Sequence, residues 1–444
     1  MDSFIQEIRD SLGDNDDFFF QQEKIGRASV ILMGFISLID LTRTKEALHA
    51  NMDNWKPDRD DASSMMEAIG EVREMDLSEA ITMFMDGKLI VFFESERILV
   101  LAEAYPSLLN RAVESPTNEN VLQGAISSFI EDIDTNIGMV RKQIVSRHVK
   151  VRSFLAGSLC HKKLSLVYDE SHADSKLVAK VIKQIESSSD KEINNLQNLT
   201  KALGLSAWSS VPKFNTTELP EEVAGALIKG RVILFIDRMP FGLILPNLIW
   251  DMFSLENDRN YPLPLMIVIR LLRVVGVLTT LIAPGLYVAL VAVNPEVLRI
   301  ELALTIAQSR EGVPYPAIVE MIFMLIILEL IIEASTRLPK SIGPTITMVG
   351  GIILGQAVVT AKLVSNLLII ILAATTISNS TVVGFQNSLA IRLFKYVIVI
   401  MSAMYGVLGL LAGLVLICAY LSSLSTFGIS YLNISMNKGE SGNG

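Results

Sequence analysis

Up to about residue 260 the apolar positions come in short runs broken by charged turns; beyond it they come in runs long enough to cross a membrane. "GKLIVFFESERILVL" begins at Gly87 and "GRVILFIDRMPFGLIL" at Gly230, 143 residues later. Each predicts two short strands joined by a polar turn and preceded by a helix, "SEAITMFMD" and "EEVAGALIK". Gly, Ile and Phe coincide at matched positions, Lys88 matches Arg231, and Glu94 matches Asp237. A weaker pairing links "ASVILMGFISLID" from Ala28 with "KLSLVYDESHAD" from Lys163, each a strand ending in an acidic turn. The expectation is an α/β region of two related lobes, residues 23–120 and 149–260, after a tail of residues 1–22. Helical spacing from Val121 to Ile144 predicts a connecting helix, within residues 121–148, that packs on both lobes.

Residues 261–432 read as an α-helical transmembrane domain, with residues 433–444 a polar tail. Val274 to Val293 carries no charge over twenty residues, and Pro284-Gly285 in its middle is the place for a hinge. Asn294-Pro295-Glu296 reads as a helix start, and Gly312 and Pro314 as stop signals that set the angle of the next helix. The helix between them bears Glu296, Arg299, Glu301, Arg310 and Glu311, too many charges for a span, so it is expected on the membrane surface or against other subunits. The next run, Ala317 to Ala334, holds Glu320, Glu329 and Glu333, which are costly there unless paired or wet. Glu329, Glu333 and Arg337 follow at steps of four and can form a ladder; Glu333 with Arg337 makes a structural pair, against the alternative of a role in ion passage. Thr345–Ala361, Leu363–Ile377 and Val397–Leu421 complete the apolar runs, and Arg392 and Lys395 are expected to hold the loop before the last one inside. The count is four or five spans, four returning the carboxyl end to the amino-terminal side and five not. Gly351 with Gly355, and Gly409 with Gly413, form small-residue packing faces. "TTISNST" ends an apolar run with uncharged dipoles: Thr375 and Asn379 share a helix side, as do Thr376 and Ser380. It reads either as a solvated exit loop or as the lining of a wet path for ions.

Charge separates the same two regimes. From Arg270 onward ten Lys and Arg accompany seven Asp and Glu, with no Asp, whereas the preceding residues hold 28 basic and 40 acidic side chains. The first residues, with Asp2, Glu7, Asp10, Asp14, Asp16 and Asp17, lack a signal-peptide pattern. Together with Arg270 and Arg273 before the first span, this places the amino-terminal domain in the cytoplasm. The acidic balance argues against nucleic acid as a partner. His49, His148, His161 and His172 have no metal-ligand spacing, and no P-loop, nucleophile elbow or dinucleotide fingerprint is present, so neither an enzyme nor a cofactor is expected. Cys160 and Cys418 read as unpaired thiols.

The segments "SREGVPYPAIVE", "RLPKSIGP", "VGGIILGQAVV", "IRLLR" and "STFGISYL" (Ser425 to Leu432) together resemble the A subunit of GerA-type spore germinant receptors. Phe129, Glu131, Thr135, Asn136 and Arg141 match its "F-x-E-x-x-x-T-N…R" pattern; Thr217, Glu218, Pro220, Gly230, Arg231, Asp237, Pro240 and Phe241 match the approach to its membrane domain. The chain departs from that pattern at Gly124 to Ser128 and at Arg238, which stands where a turn glycine is usual, and so resembles a divergent member. The resemblance implies a multi-pass protein of the spore inner membrane that works with B and C subunits, associates with copies of itself among the membrane lipids, and forms or gates a nutrient-dependent cation channel. A transporter component is the alternative; the repeat visible here lies outside the apolar runs, which favours the channel or scaffold reading.

Overall fold

The computed structural model describes residues 2–433 apart from 26–27, 55–65, 67–68, 107–115, 117–126, 159–160 and 339–342. The first half builds two five-stranded antiparallel sheets. One contains β1 (Phe18–Ile25), β2 (Ala28–Phe35), β3 (Glu71–Val72), β4 (Leu89–Phe93) and β5 (Ile98–Ala102), in the order β1-β2-β4-β5-β3. The other contains β6 (Val149–Ala156), β7 (Lys162–Asp169), β8 (Asn215–Thr217), β9 (Val232–Ile236) and β10 (Gly242–Leu245), in the matching order β6-β7-β9-β10-β8. The strands expected from "GKLIVFF…" and "GRVILFI…" are the antiparallel pairs β4–β5 and β9–β10, and each follows a helix, Leu77–Met85 or Pro220–Ile228. Both helices end in the same way. Gly87 and Gly230 take φ of +74° and +78°, and the next residue, Lys88 or Arg231, donates its N–H to the carbonyl five residues back. That is a Schellman closure, which needs a residue free of Cβ crowding at the left-handed position. Arg238 also has positive φ, +63°, so the substitution for a turn glycine leaves the backbone shape in place under strain. Residues 124–126 of the other departure lie outside the described residues.

The segment expected as a tail is structured. Asp2–Leu12 is a helix, α1, whose Ile5, Ile8 and Leu12 are buried in the core of the first sheet, and Phe18 starts β1. Glu7 and Asp10 lie exposed on the outer side of an amphipathic helix, so composition concealed the apolar face. The residues after α1 join the two sheets: Asn15 Nδ2 donates to Val149 O at 3.2 Å, and Asn15 Oδ1 accepts from Val151 N–H at 3.2 Å. The connecting helix is shorter than expected. It spans Ile133–Gln143, capped by Asp132, which accepts from Thr135 N–H; residues 127–132 are not helical, and Val121 to Ile126 lie outside the described residues. It does bear on both sheets. Ile133, Ile137 and Val140 pack in the core of the second sheet. Arg141 crosses to the first, its Nε donating to Asp17 Oδ2 at 2.5 Å and its guanidinium lying 4.0 Å from the Phe35 ring centre. Asp17 also accepts from Ser37 N–H and Oγ–H.

The second half is a helix bundle: α8 (Leu263–Val288), α9 (Ile300–Ser309), α10 (Ala317–Arg337), α11 (Gly343–Thr360), α12 (Asn366–Asn379) and α13 (Phe385–Ser423), numbered after the helices Asp2–Leu12, Leu41–Asn54, Leu77–Met85, Ile133–Gln143, Ser175–Glu186, Leu196–Ala202 and Pro220–Ile228. By length and composition Leu263–Val293 suffices to cross a membrane, as does Phe385–Ser423 when counted as one helix. The helix α8 leaves the second sheet with Arg273 bound to Asp258 and to Phe253 O, and ends at Asn294. It continues through Pro284, so the expected hinge there is a packed position: a Cβ at Gly285 would lie 2.6 Å from Ile398 Cγ2. The loosened turn comes later, as π-helix at Ala289–Val293. The charged helix begins at Ile300 rather than at Asn294 and buries no residue against its own chain. Gly312 (φ +85°) follows its end, and α10 starts after Pro316, so the punctuation around Pro314 lies as expected.

The last apolar run is not one passage. At Gly406 (φ +62°, ψ −138°) α13 folds back, so that Gly413 lies against the backbone of Ile398 and the rings of Phe394 and Tyr420 meet at 5.9 Å. A continuous helix would hold those two rings about 39 Å apart. The Asn294 side chain seals the turn, its Oδ1 accepting from Val407 N–H at 3.0 Å. Gly409 and Gly413 form the tight face inside this hairpin, whereas Gly351 and Gly355 have no neighbour among the described residues within 4 Å of a built Cβ. The returning arm ends at the second sheet: Ser210 N–H donates to Tyr420 Oη, and the hairpin of β11 (Ser425–Thr426) and β12 (Ile429–Ser430) docks Phe427 and Ile429 on that core. The chain thus finishes its described residues on the side from which α8 departs.

With Asp17 and Arg141 both almost fully enclosed, Arg141→Ala should strand the carboxylate and lower the stability of the full chain by about 3–5 kcal/mol. Replacing the pair together, Asp17→Leu with Arg141→Met, should recover most of that loss, as read from thermal unfolding of the two variants.

Candidate functional site

Three polar groups interrupt the bundle. The first joins four elements at the end remote from the sheets. Glu320, on α10, has no exposed side-chain surface; it takes a hydrogen bond from Arg310 at 2.7 Å and from Ser365 N–H at 3.2 Å. Ser365 caps α12 and shares a 3.0 Å hydrogen bond with Tyr287 of α8. Every polar atom in this chain of contacts belongs to a helix end or reaches one, which is why a carboxylate is tolerated here.

The second group lies deeper. The ladder expected for Glu329, Glu333 and Arg337 divides instead. Glu333 and Arg337 do pair, at 2.6 Å, on the exposed surface. Glu329, one turn earlier, instead bridges Arg392 and Lys395 of α13, the lysine at 2.9 Å. Those two cations do not hold a loop; they are mostly buried helix residues one turn apart. The physical reason is cost: α10 can place one face toward α13, and a cation pair in an apolar bundle requires a counter-charge more than an exposed arginine does.

The third group is the end of α12. Thr375 is buried and donates to Leu372 O, and Thr376 donates to the same carbonyl. Thr280 of α8 reaches Thr375 O at 3.3 Å. Ser380 is exposed and bonds to Thr376 O. Asn379 donates to Ser388 Oγ at 2.8 Å, while its Oδ1 is buried without a partner among the described residues. The hydroxyls are therefore turned back on their own helix, and the cluster sits at the junction with the second sheet, where Val383 N–H donates to Met252 O. Sequence spacing could identify these residues as one helix side; it could not reveal which carbonyls would claim their hydrogens.

Comparison with known proteins assigns the family. The family model for Bacillus/Clostridium GerA spore germination proteins matches residues 6–441. The chain belongs to this family. Spore germination protein KA of Bacillus subtilis (strain 168) is 27% identical over 97% of this chain and 80% of its own length. Spore germination protein B1 of the same organism is 30% identical over 76% of this chain and 72% of its own length. Among solved structures, the N-terminal domain of the A subunit of the Bacillus megaterium spore germinant receptor GerK3 is 21% identical, with a TM-score of 0.39, over 55% of this chain and 94% of that one.

Removing one acid from each α10 pair separates their weights. Glu329→Ala leaves two cations without a counter-charge in the bundle and should cost about 3 kcal/mol. Glu333→Ala opens a solvated pair and should cost less than about 1 kcal/mol, both read as shifts in thermal unfolding of the detergent-solubilised chain.

Proposed function

We propose that this chain is the A-type subunit of a nutrient germinant receptor in the spore inner membrane, and that it starts germination by forming or gating a cation channel. The match to the GerA family over residues 6–441 carries the proposal. It works with B and C subunits and with copies of itself. The exposed helix α9 and the uncovered small-residue face at Gly351 and Gly355 support self-association, since close helix approach needs positions of that kind. The sheets and their helices are two lobes of one duplicated unit, a reading supported by the shared strand order and the two matching Schellman glycines. They face the spore core, on the side of Arg270 and Arg273, and a reporter fused after Asn260 should be active only in the cytoplasm.

The Glu329–Arg392–Lys395 cluster is the part of the bundle best suited to gating. It ties α10 to the outgoing arm of α13 through enclosed charge, so a shift of either helix breaks that contact. Glu320 at the start of α10, and Thr375, Thr376, Asn379 and Ser380 at the end of α12, stand at the two ends of the bundle, and Gly312 and Pro314 set the angle at which α10 enters.

The test is potassium release from spores exposed to nutrient. Glu329→Gln keeps the shape of the side chain and removes the charge that holds α10 to the outgoing arm. It should abolish release at unchanged protein level, while Glu333→Gln should leave release normal. Normal release from the Glu329 variant would remove the cluster from the gating mechanism.

A further inference from the structure

A cavity of about 700 Å³ opens where the second sheet meets the bundle. Its two walls differ in kind. One carries Leu272 of α8 and Phe385 of α13, exposed by 57% and 62% and continuous with the apolar outer surface of the helices. The other carries charges that are already matched: Arg231 with Asp251 at 2.7 Å, and Lys229 with Glu256 at 2.9 Å. Arg273, also on the lining, is held by Asp258 at 2.8 Å. The site is therefore close to neutral, and its unused capacity lies in individual atoms. Arg231 Nε, Asn257 Oδ1 and Asn379 Oδ1 are buried on this lining without a hydrogen-bond partner among the described residues, one donor and two acceptors. Buried polar atoms left in this way call for a ligand or water that completes them.

Two tryptophans give the depth of the crevice relative to a bilayer. Trp208 is 97% exposed in the loop whose Ser210 meets Tyr420 at the base of the returning arm, and Trp250 is 38% exposed in the turn beside the cavity. Exposed indoles at the boundary between a polar domain and an apolar bundle mark the head-group level of a membrane.

We propose that this crevice binds a membrane glycerophospholipid whose head group carries hydrogen-bond donors. The lipid phosphate accepts from Arg231, its terminal ammonium or hydroxyl donates to the carboxamides of Asn379 and Asn257, and its chains leave along Leu272 and Phe385. The proposal rests on the bundle being embedded in a membrane. The chemistry discriminates among lipids: phosphatidylethanolamine offers donors to the two carboxamides, whereas the quaternary head group of phosphatidylcholine offers none.

The full chain, purified in detergent and stripped of lipid, is titrated with phosphatidylethanolamine and with phosphatidylcholine of the same acyl chains, and bound lipid is read by native mass spectrometry. The expected result is a preference of about tenfold for phosphatidylethanolamine. Asn379→Leu should reduce it toward unity; Asn257→Leu, in the turn rather than in the bundle, does the same where the first variant folds poorly. Equal binding of the two lipids, a preference that survives both substitutions, or displacement of the lipid by inorganic phosphate would each overturn the proposal. Recovery of the chain in the soluble fraction without detergent would instead overturn the membrane reading beneath it.

Discussion

The reversal at Gly406 is the constraint on which the second half of the molecule depends. A left-handed φ and a neighbouring carboxamide that leaves no room for a Cβ admit only glycine there: the built Cβ falls 1.7 Å from Asn294 Oδ1. In exchange for its side chain, the turn gains a partner. Asn294 stands where α8 ends, so one residue both finishes the first long helix, by its backbone N–H, and holds the tip of the last hairpin, by its side chain. Because that tip is fixed at the far end, both arms of α13 must run the length of α8, and Gly285, Ile398 and Gly413 pack in succession along the seam. The terminal strands then arrive beside the second sheet, where Lys180 donates to Phe427 O and Ile249 N–H donates to Tyr431 O.

Much of the fold is legible in the order of residues, and the reason is local. Strand pairs with charged turns, helices closed by Gly87 and Gly230, and the break at Gly312 before Pro316 all depend on neighbours within a few positions. The start of α10 at Ala317 was visible for the same cause. The features that escaped depend on distant partners. Nothing next to Gly406 in the sequence announces a turn, since the residues on both sides are apolar, and the polar atom that stabilises the turn comes from Asn294. The helix α1 hid its apolar face among acids because the sheet that receives Ile8 and Leu12 lies downstream. For the candidate site the same division holds. The exposed pair Glu333–Arg337 follows from spacing of four, whereas the choice of Arg392 and Lys395 by Glu329 follows only from the packing of α10 on the outgoing arm.

Charge plays different parts in the two halves. Between the sheets, Asp17 and Arg141 lock a joint in which Asn15 also takes part, and the enclosed geometry makes each partner necessary to the other. In the bundle, carboxylates stand at two depths, Glu320 near the remote helix ends and Glu329 nearer the sheets, and each ties α10 to a different neighbour. The helix α10 cannot turn about its axis without disturbing both contacts.

The Glu329 cluster also bears on how the protein is made. The outgoing arm of α13 carries Arg392 and Lys395 into an apolar environment, and two cations without a partner are a heavy penalty for a lone helix entering lipid. Its acidic partner sits on α10, which the ribosome completes earlier. With the bundle embedded in a membrane, as proposed above, the arm need not enter the bilayer alone: the carboxylate that neutralises it is already present when the hairpin emerges. Insertion of the last helices becomes a templated step, in which a helix made early serves as the receptor for one made late.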